Sequence, residues 1–371
     1  MLITDPAAFE RFSDENRVWQ GIPGVAVTSG GRIFVCFYSG GIKEEIGNYA
    51  LVIKSDDGGA SFSKPIAVAY PEDGFRCYDP CLWIDPLGRL WFFWARMPEH
   101  AVFCSVCEDP DADTLSWSAP RVIGHDVMMN KPTVLSTGEW LFPIAVWNSD
   151  VRSLPPEFDT PNRPYGSYAY ISLDNGATIS PLGFADVPDR RFDEHMIYER
   201  GDGSLVMLVR TRYGIGRSVS LDRGRTWGPG EDSGIAGPDS RFFIGRLRSG
   251  RLLMINHVGF SGRNNLTALL SEDDGASWKY SMMLDPRSTV SYPDAQQVED
   301  GSIFIVHDRE RGGFRKSLNE ALSSAREILL SRITEEDIMN GRLVSSGSFL
   351  CRIANKLGKY KGSTPDPYIR F

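Results

Sequence analysis

The octapeptide Ser220-Leu221-Asp222-Arg223-Gly224-Arg225-Thr226-Trp227 fits the pattern S-x-D-x-G-x-S/T-aromatic, and this pattern decides the fold because it returns. The same spacing occurs at Ser55, Asp57, Gly59, Ser61 and Phe62, and at Ser271, Asp273, Gly275, Ser277 and Trp278. A weaker copy holds Ser172, Asp174, Gly176 and Thr178 with Ile179 in the aromatic place. In such a turn the Asp binds backbone N–H groups, the Gly accepts positive φ, and the aromatic ring plugs the gap beneath. One copy would be an ordinary turn; four in one chain indicate a repeat architecture.

A second repeat supports the first. A Gly-ended turn, a polar residue and an apolar strand follow one another at Gly31, Gly88, Gly138, Gly203, Gly250 and Gly301. Each turn lies between two apolar, β-branched runs, and in several repeats an Asp-containing turn comes later. Two hairpins per repeat make a four-stranded meander, and about 50 residues per meander is the spacing of a propeller blade. The sequence thus predicts an all-β, six-bladed β-propeller of four-stranded antiparallel blades, one domain over residues 1–371. The blades are expected at roughly 15–65, 75–120, 128–180, 190–230, 238–280 and 289–355, with a strap over 356–371. Short helices are expected from Ser317 to Arg326 and from Thr334, whose Thr-Glu-Glu-Asp run is a capping sequence.

Bulk properties narrow the function. The chain has 371 residues, a net charge of −8, 11% aromatic residues and 37 glycines. An acidic surface attracts neither nucleic acid nor an anionic membrane. Six cysteines, at 36, 77, 81, 104, 107 and 351, fall mostly in apolar runs and read as buried free thiols. Cys104 and Cys107 form a C-x-x-C, but no second pair or nearby His completes a zinc site. No metal or cofactor is expected. Without a basic segment and apolar run at the start, or a long apolar span, the chain reads as cytoplasmic. Oligomeric state is not legible.

The meander also places the site. If the Gly turns share one face, the residues before the first strand and after the second share the other. Counting back from each turn gives Gln20, Asp79, Lys131, Glu194, Arg241 and Tyr292. Counting forward gives Tyr38, Arg96, Trp147, Arg210, His257 and Asp308. This mixture of carboxylate, guanidinium and aromatic groups suits a sugar acid.

The pocket segments resemble those of the sialidase superfamily, the neuraminidase-like propellers with Asp-box repeats, from about Ile22 to Asp308. Asp193-Glu194-His195, followed by Val209-Arg210, is similar to the segment with the carboxylate base and a clamp arginine. Arg263-Asn264-Asn265-Leu266-Thr267 is similar to the segment with another clamp arginine, and Ser291-Tyr292-Pro293-Asp294 to the one with the nucleophilic tyrosine. The resemblance implies an exo-acting glycoside hydrolase with Tyr292 as nucleophile and Glu194 as its base. Arg210 and Arg263 then bind the substrate, with His195 beside them. A phenol, with an ordinary pKa near ~10, needs a neighbouring carboxylate to take its proton. Sialidases depart from the two-carboxylate scheme in this way.

Two departures shape the expectation. Gly21-Ile22-Pro23 stands where the family has Arg-Ile-Pro, so a clamp arginine is a glycine, and ordinary sialic acid is not the expected substrate. Arg76, Arg241 or Lys131 are candidates to replace its charge, and Gln20 and Asp308 to line the mouth. Asp308 stands where the family has a glutamate supporting the absent arginine. The family's acid, an Asp in the loop after the second strand, is also missing; Glu44, Glu45 and Asp79 compete for that role. A lyase acting on a uronic-acid glycan, with Tyr292 or His195 as base, and a sugar-binding propeller without catalysis are the alternatives.

Overall fold

The computed structural model describes residues 1–72, 74–147, 164–312, 314–315, 320–321 and 325–358. Among them, six antiparallel sheets stand in a ring, as expected for a six-bladed propeller. Blade 1 runs through Gln20–Val27, Ile33–Ser39, Tyr49–Ser55 and Ala67–Ala69, with Leu2–Ile3 pairing outside the last of these as a fifth strand. Blades 2 to 5 begin with Arg76–Ile84, Thr133–Val134, Met196–Glu199 and Phe243–Arg246, and each has four strands. Blade 6 comprises Val290–Gln297, Ile303–Arg309, Glu327–Ile333 and Phe349–Lys356.

Gln20–Val27 and Ile33–Ser39 are buried at every residue, because each blade is covered on both faces by its neighbours. The six Gly turns work as expected: all six glycines have φ between 82° and 97°. A Cβ at Gly31, Gly88 or Gly301 would meet nothing within 4 Å, so glycine is needed there for conformation and not for space.

All four Asp-containing turns adopt one hydrogen-bonded form. In the Asp222 copy, Thr226 N donates to Oδ1 at 2.8 Å and Thr226 Oγ1 to Oδ2 at 2.6 Å, while Gly224 N donates to Ser220 Oγ at 2.8 Å. The weaker Asp174 copy repeats these bonds at the same three distances. The turns join the third and fourth strands of blades 1, 3, 4 and 5. In blade 6 the helix Glu335–Asn340 takes that place, started by the expected cap: Asp337 N donates to Thr334 Oγ1, and Thr334 N to Asp337 Oδ2. The other expected helix is not seen where it can be checked. Glu320–Ala321 is extended and pairs with Phe314–Arg315; residues 316–319 and 322–324 lie outside the described residues, as does the strap beyond 358.

Blade 1 and the blade 6 segment meet at a backbone bridge between Trp19 and Gly312, and side chains of blade 6 bond the backbone of the first strand of blade 1. Val25 N donates to Asp294 Oδ2 and Ile22 N to Asp308 Oδ2, each at 2.8 Å, and Gln296 bonds both the N–H and the C=O of Val27.

Candidate functional site

Three inner strands carry the same irregularity at the same place. Their pairing shifts between Gly21 and Gly24, between Tyr78 and Cys81, and between Ser291 and Asp294. In each case an X-Pro pair sits in the bulge: Ile22-Pro23, Asp79-Pro80 and Tyr292-Pro293. Proline removes a ladder donor, and the preceding residue is turned to positive φ, 58°, 46° and 55° respectively. A bulge re-aims a side chain, and this one is strained for residues other than glycine. Asp79 and Tyr292 are therefore equivalent positions, and their partner in blade 1 is Ile22. Gln20 is two residues too early. It is fully buried, receives Arg17 Nη1 at 3.0 Å and donates to the Arg326 carbonyl at 2.9 Å.

Blade 4 reaches the same place differently. Phe192, Asp193 and Glu194 all have positive φ. The turn is held by Arg210 N donating to Asp193 O at 2.9 Å, and by Ser167 Oγ donating to Asp193 Oδ1 at 2.8 Å. Burial raises the Asp193 carboxyl to about 6.

At the centre, Tyr292 Oη donates to Glu194 Oε1 at 2.5 Å. Arg210 Nη1 bonds both, at 2.6 Å to the carboxylate and 2.9 Å to the phenol oxygen. Burial, then the Glu194 charge, holds the phenol well above its ordinary range, and Arg210, Arg311 and Arg263 oppose that rise. Glu194 Oε2 is buried and has no hydrogen-bond partner among the described residues. Arg210 is braced by Asp239, whose Oδ1 accepts from Nε at 2.7 Å; Arg263 Nη2 donates to the Asp239 carbonyl at 3.0 Å and its guanidinium lies 5.3 Å from the Tyr292 ring. Sequence reasoning had singled out all four of Tyr292, Glu194, Arg210 and Arg263, and here they meet.

The acid candidates separate. Glu45 folds back into its own loop, accepting from Ile42 N at 2.6 Å. Glu44 is 45% exposed and accepts from Arg311 Nη1 at 3.0 Å. Asp79 is buried; desolvation, then the charges of Glu44 and Glu194, raises its carboxyl to about 8, with Arg76 and Arg311 opposing. Arg76 stacks over the Tyr78 ring at 4.4 Å.

Other expected pocket residues lie behind the site. Lys131 and Arg241 both face the fully buried Asp294; Arg241 is itself fully buried, and its Nε donates to Asn130 Oδ1 at 2.7 Å. Two cations beside one axial carboxylate are structural neutralisation, so neither replaces the absent clamp charge at the mouth. His195 is turned inward: its Nε2 lies 2.8 Å from the Tyr168 carbonyl and carries the proton, while burial lowers its pKa to about 4. It is not a substrate-facing group.

The residue missed in the sequence is Arg311. Its Nε donates to Asp308 Oδ2 at 2.9 Å, its Nη1 to Glu44, and its Nη2 to Ser291 Oγ at 3.3 Å, with the guanidinium 4.3 Å from the Tyr292 ring. A Cβ on Gly21 would come within 2.7 Å of Arg311 Cδ. The available signal was indirect: Arg311 follows Asp308 by three residues, and Gly21 leaves room.

An aromatic wall flanks the mouth. Trp147 lies 5.7 Å from Phe192 and 6.3 Å from Tyr78, ring to ring, and its Nε1 donates to the Phe192 carbonyl at 3.1 Å.

Residues 31–305 match the BNR repeat-like domain. The chain belongs to the BNR repeat-like domain family. Solved structures with the same fold include the leech intramolecular trans-sialidase complexed with 2,7-anhydro-Neu5Ac, at 15% identity and a TM-score of 0.64 over 89% of this chain and 70% of that one. The intramolecular trans-sialidase of Ruminococcus gnavus is 15% identical with a TM-score of 0.61, covering 86% of this chain and 95% of that one. NanB sialidase of Streptococcus pneumoniae is 14% identical with a TM-score of 0.61, covering 80% and 66%. At these identities the likeness is one of fold, a glycosidase-like propeller. No curated protein matches the sequence.

In this BNR-repeat propeller, one group of metal-ligating types occurs among the described residues. Asp285, His307 and Cys351 hold their ligand atoms within 4.8 Å of one another. Arg287 occupies both Asp285 oxygens, at 2.8 and 2.7 Å, so the carboxylate is already neutralised by a cation. Cys104 and Cys107 are three residues apart on one strand, point to opposite faces, and pack into different core clusters. Among the described residues no helix is long and apolar enough to cross a membrane.

Proposed function

We propose that this protein is an exo-acting glycoside hydrolase that removes a terminal acidic sugar through a covalent tyrosyl intermediate. The observation that carries this reading is the 2.5 Å contact between Tyr292 Oη and Glu194 Oε1 beneath Arg210. A buried phenol is a poor nucleophile until its proton has somewhere to go, and a carboxylate at hydrogen-bond distance supplies the acceptor. Glu194 takes the proton as Tyr292 Oη bonds to the anomeric carbon. The glycosidic oxygen leaves with the proton of Asp79, the candidate whose burial keeps it protonated near neutral pH. Water then enters, giving its proton to Asp79, and Glu194 returns its proton to the phenolate as the sugar departs with retained configuration. The trans-sialidase and sialidase neighbours support a sugar ligand.

The inward-facing His195 weakens the lyase alternative, because it removes one of the two bases that reading offered.

The test is turnover of aryl glycosides of sialic acid, related keto-sugar acids, uronic acids and neutral sugars by the parent and by Tyr292→Phe. Cleavage of one member, with kcat reduced roughly 10³-fold or more in the variant, is expected. A new ultraviolet absorbance on a uronic-acid glycan would favour the lyase. Binding without turnover, unchanged in Glu194→Gln, would favour a binding protein.

A further inference from the structure

We infer that Arg311 is the substrate-anion receptor of this pocket, delivered from blade 6 into the space that Gly21 leaves open, and that it selects a sugar carrying a carboxylate. The inference deepens the glycosidase reading and rests on it for the location of the bound sugar.

Four observations carry it. The first is steric: Cδ, Nε and Cγ of Arg311 lie 2.7, 2.8 and 2.9 Å from where a Gly21 Cβ would stand, so a side chain at 21 and Arg311 in this place exclude each other. The second is anchorage. The Arg311 carbonyl accepts from Gln20 N at 2.9 Å, and Gly312 next to it bridges to Trp19, so the segment is laced to the edge of blade 1. Asp308, Ser291 and Glu44 then fix the guanidinium plane.

The third is donor accounting. A guanidinium has five N–H donors in a rigid fork. Three of Arg311's are used by Asp308, Glu44 and Ser291, which leaves two, one on each terminal nitrogen. That is the number needed for a bidentate carboxylate. Its side chain is 16% exposed, whereas Arg241 at the axis is fully buried and Arg210 is 4% exposed. The fourth is position: Arg311 and Arg263 both stand over the Tyr292 ring, at 4.3 and 5.3 Å. A carboxylate held between them lies beside the phenol that attacks, and the two positive groups offset the repulsion from Glu194.

Asp308 has the matching role of a positioning residue. One oxygen takes Ile22 N and Arg311 Nε, and the other takes Ser291 Oγ at 2.6 Å, so one carboxylate sets the blade 1 bulge, the arginine and the residue before Tyr292.

The experiment is titration calorimetry with free N-acetylneuraminic acid, 3-deoxy-manno-octulosonic acid and glucuronic acid, each against a neutral sugar of similar size. The proteins are the parent, Arg311→Ala, Arg311→Lys and the double variant Gly21→Arg with Arg311→Ala, each checked by its melting temperature. The parent is expected to bind at least one sugar acid in preference to its neutral counterpart. Arg311→Ala should weaken it roughly 10- to 100-fold and Arg311→Lys less. The double variant should recover part of the loss, because Gly21 has ordinary backbone and the vacated space admits a side chain. Equal affinity of parent and Arg311→Ala, or no preference for the acid, overturns the inference. Should Arg311→Ala fail to fold, Arg311→Lys and the double variant decide by the same comparison. Failure of the glycosidase reading is separately visible, as parental binding that depends on Arg311 with no turnover of any glycoside.

Discussion

Asn130 holds Glu194 from behind: its Nδ2 donates to the carbonyls of both Glu194 and His195 at 2.9 Å, while its own Oδ1 accepts from Arg241. The base thus stands on a left-handed turn whose carbonyls are tied to blade 3, and whose tie is tied in turn to the propeller axis through Arg241 and Asp294. Asn130→Ala leaves two buried carbonyls and a buried guanidinium short of a partner, at a cost of about 1–3 kcal/mol. The loss of activity should fall on kcat more than on KM, since the contact sets the base and not the sugar. Steady-state kinetics beside a denaturation curve checks this.

The raised Asp79 carboxyl predicts an alkaline limit to activity. Asp79 is the acid only while protonated, so kcat/KM should fall as pH rises through about 8. Asp79→Asn should lower kcat/KM for a substrate with a poor leaving group roughly 10²- to 10⁴-fold; for an activated aryl glycoside it should spare kcat/KM and remove its alkaline limb, but lower kcat, because Asp79 is also the base that receives the proton of water. The sign for stability follows from linkage: the fold prefers the protonated form, so this group's contribution is full below its ordinary value of 3.8 and declines as pH rises towards about 8. A pH profile of each substrate is the measurement.

Gly21 predicts a steric coupling. Gly21→Ala forces a methyl group against the braced Arg311 side chain, and overpacking of this kind costs about 1–3 kcal/mol. The same change in an Arg311→Ala background should cost much less. A double-mutant cycle by denaturant unfolding measures the coupling; additive costs would contradict the geometry.

The Asp-containing turns predict acid sensitivity. Hydrogen bonds from Thr226 lower Asp222 to about 2, and the equivalent bonds from Thr178 lower Asp174 to about 2. Their contribution is present above the ordinary carboxylate value of 3.8 and is lost as pH falls towards 2. Asp222→Asn should lower the melting temperature at pH 7 and flatten its decline between pH 4 and pH 2, as thermal scans across that range would show.

The propeller was legible in the sequence because its signals are local. A glycine turn at positive φ and an Asp–Thr turn are specified within eight residues, so they can be counted without knowing what packs on them. Tyr292, Glu194 and Arg210 were legible for the same reason, each lying at a short count from a turn that sets its face, whereas Arg263 was legible only through the resemblance of its segment. The X-Pro bulge was also present in the sequence, and it would have identified Ile22 instead of Gln20 as the blade 1 equivalent of Tyr292. Tertiary structure alone decided the rest. Whether a charged side chain faces the mouth or the axis depends on which neighbouring blade offers a partner, and Asp294 draws Lys131 and Arg241 inward while the Tyr168 carbonyl turns His195 away. Arg311 is the clearest case: its place is set by a vacancy at Gly21, at the other end of the chain, and spacing along a sequence does not record space left empty.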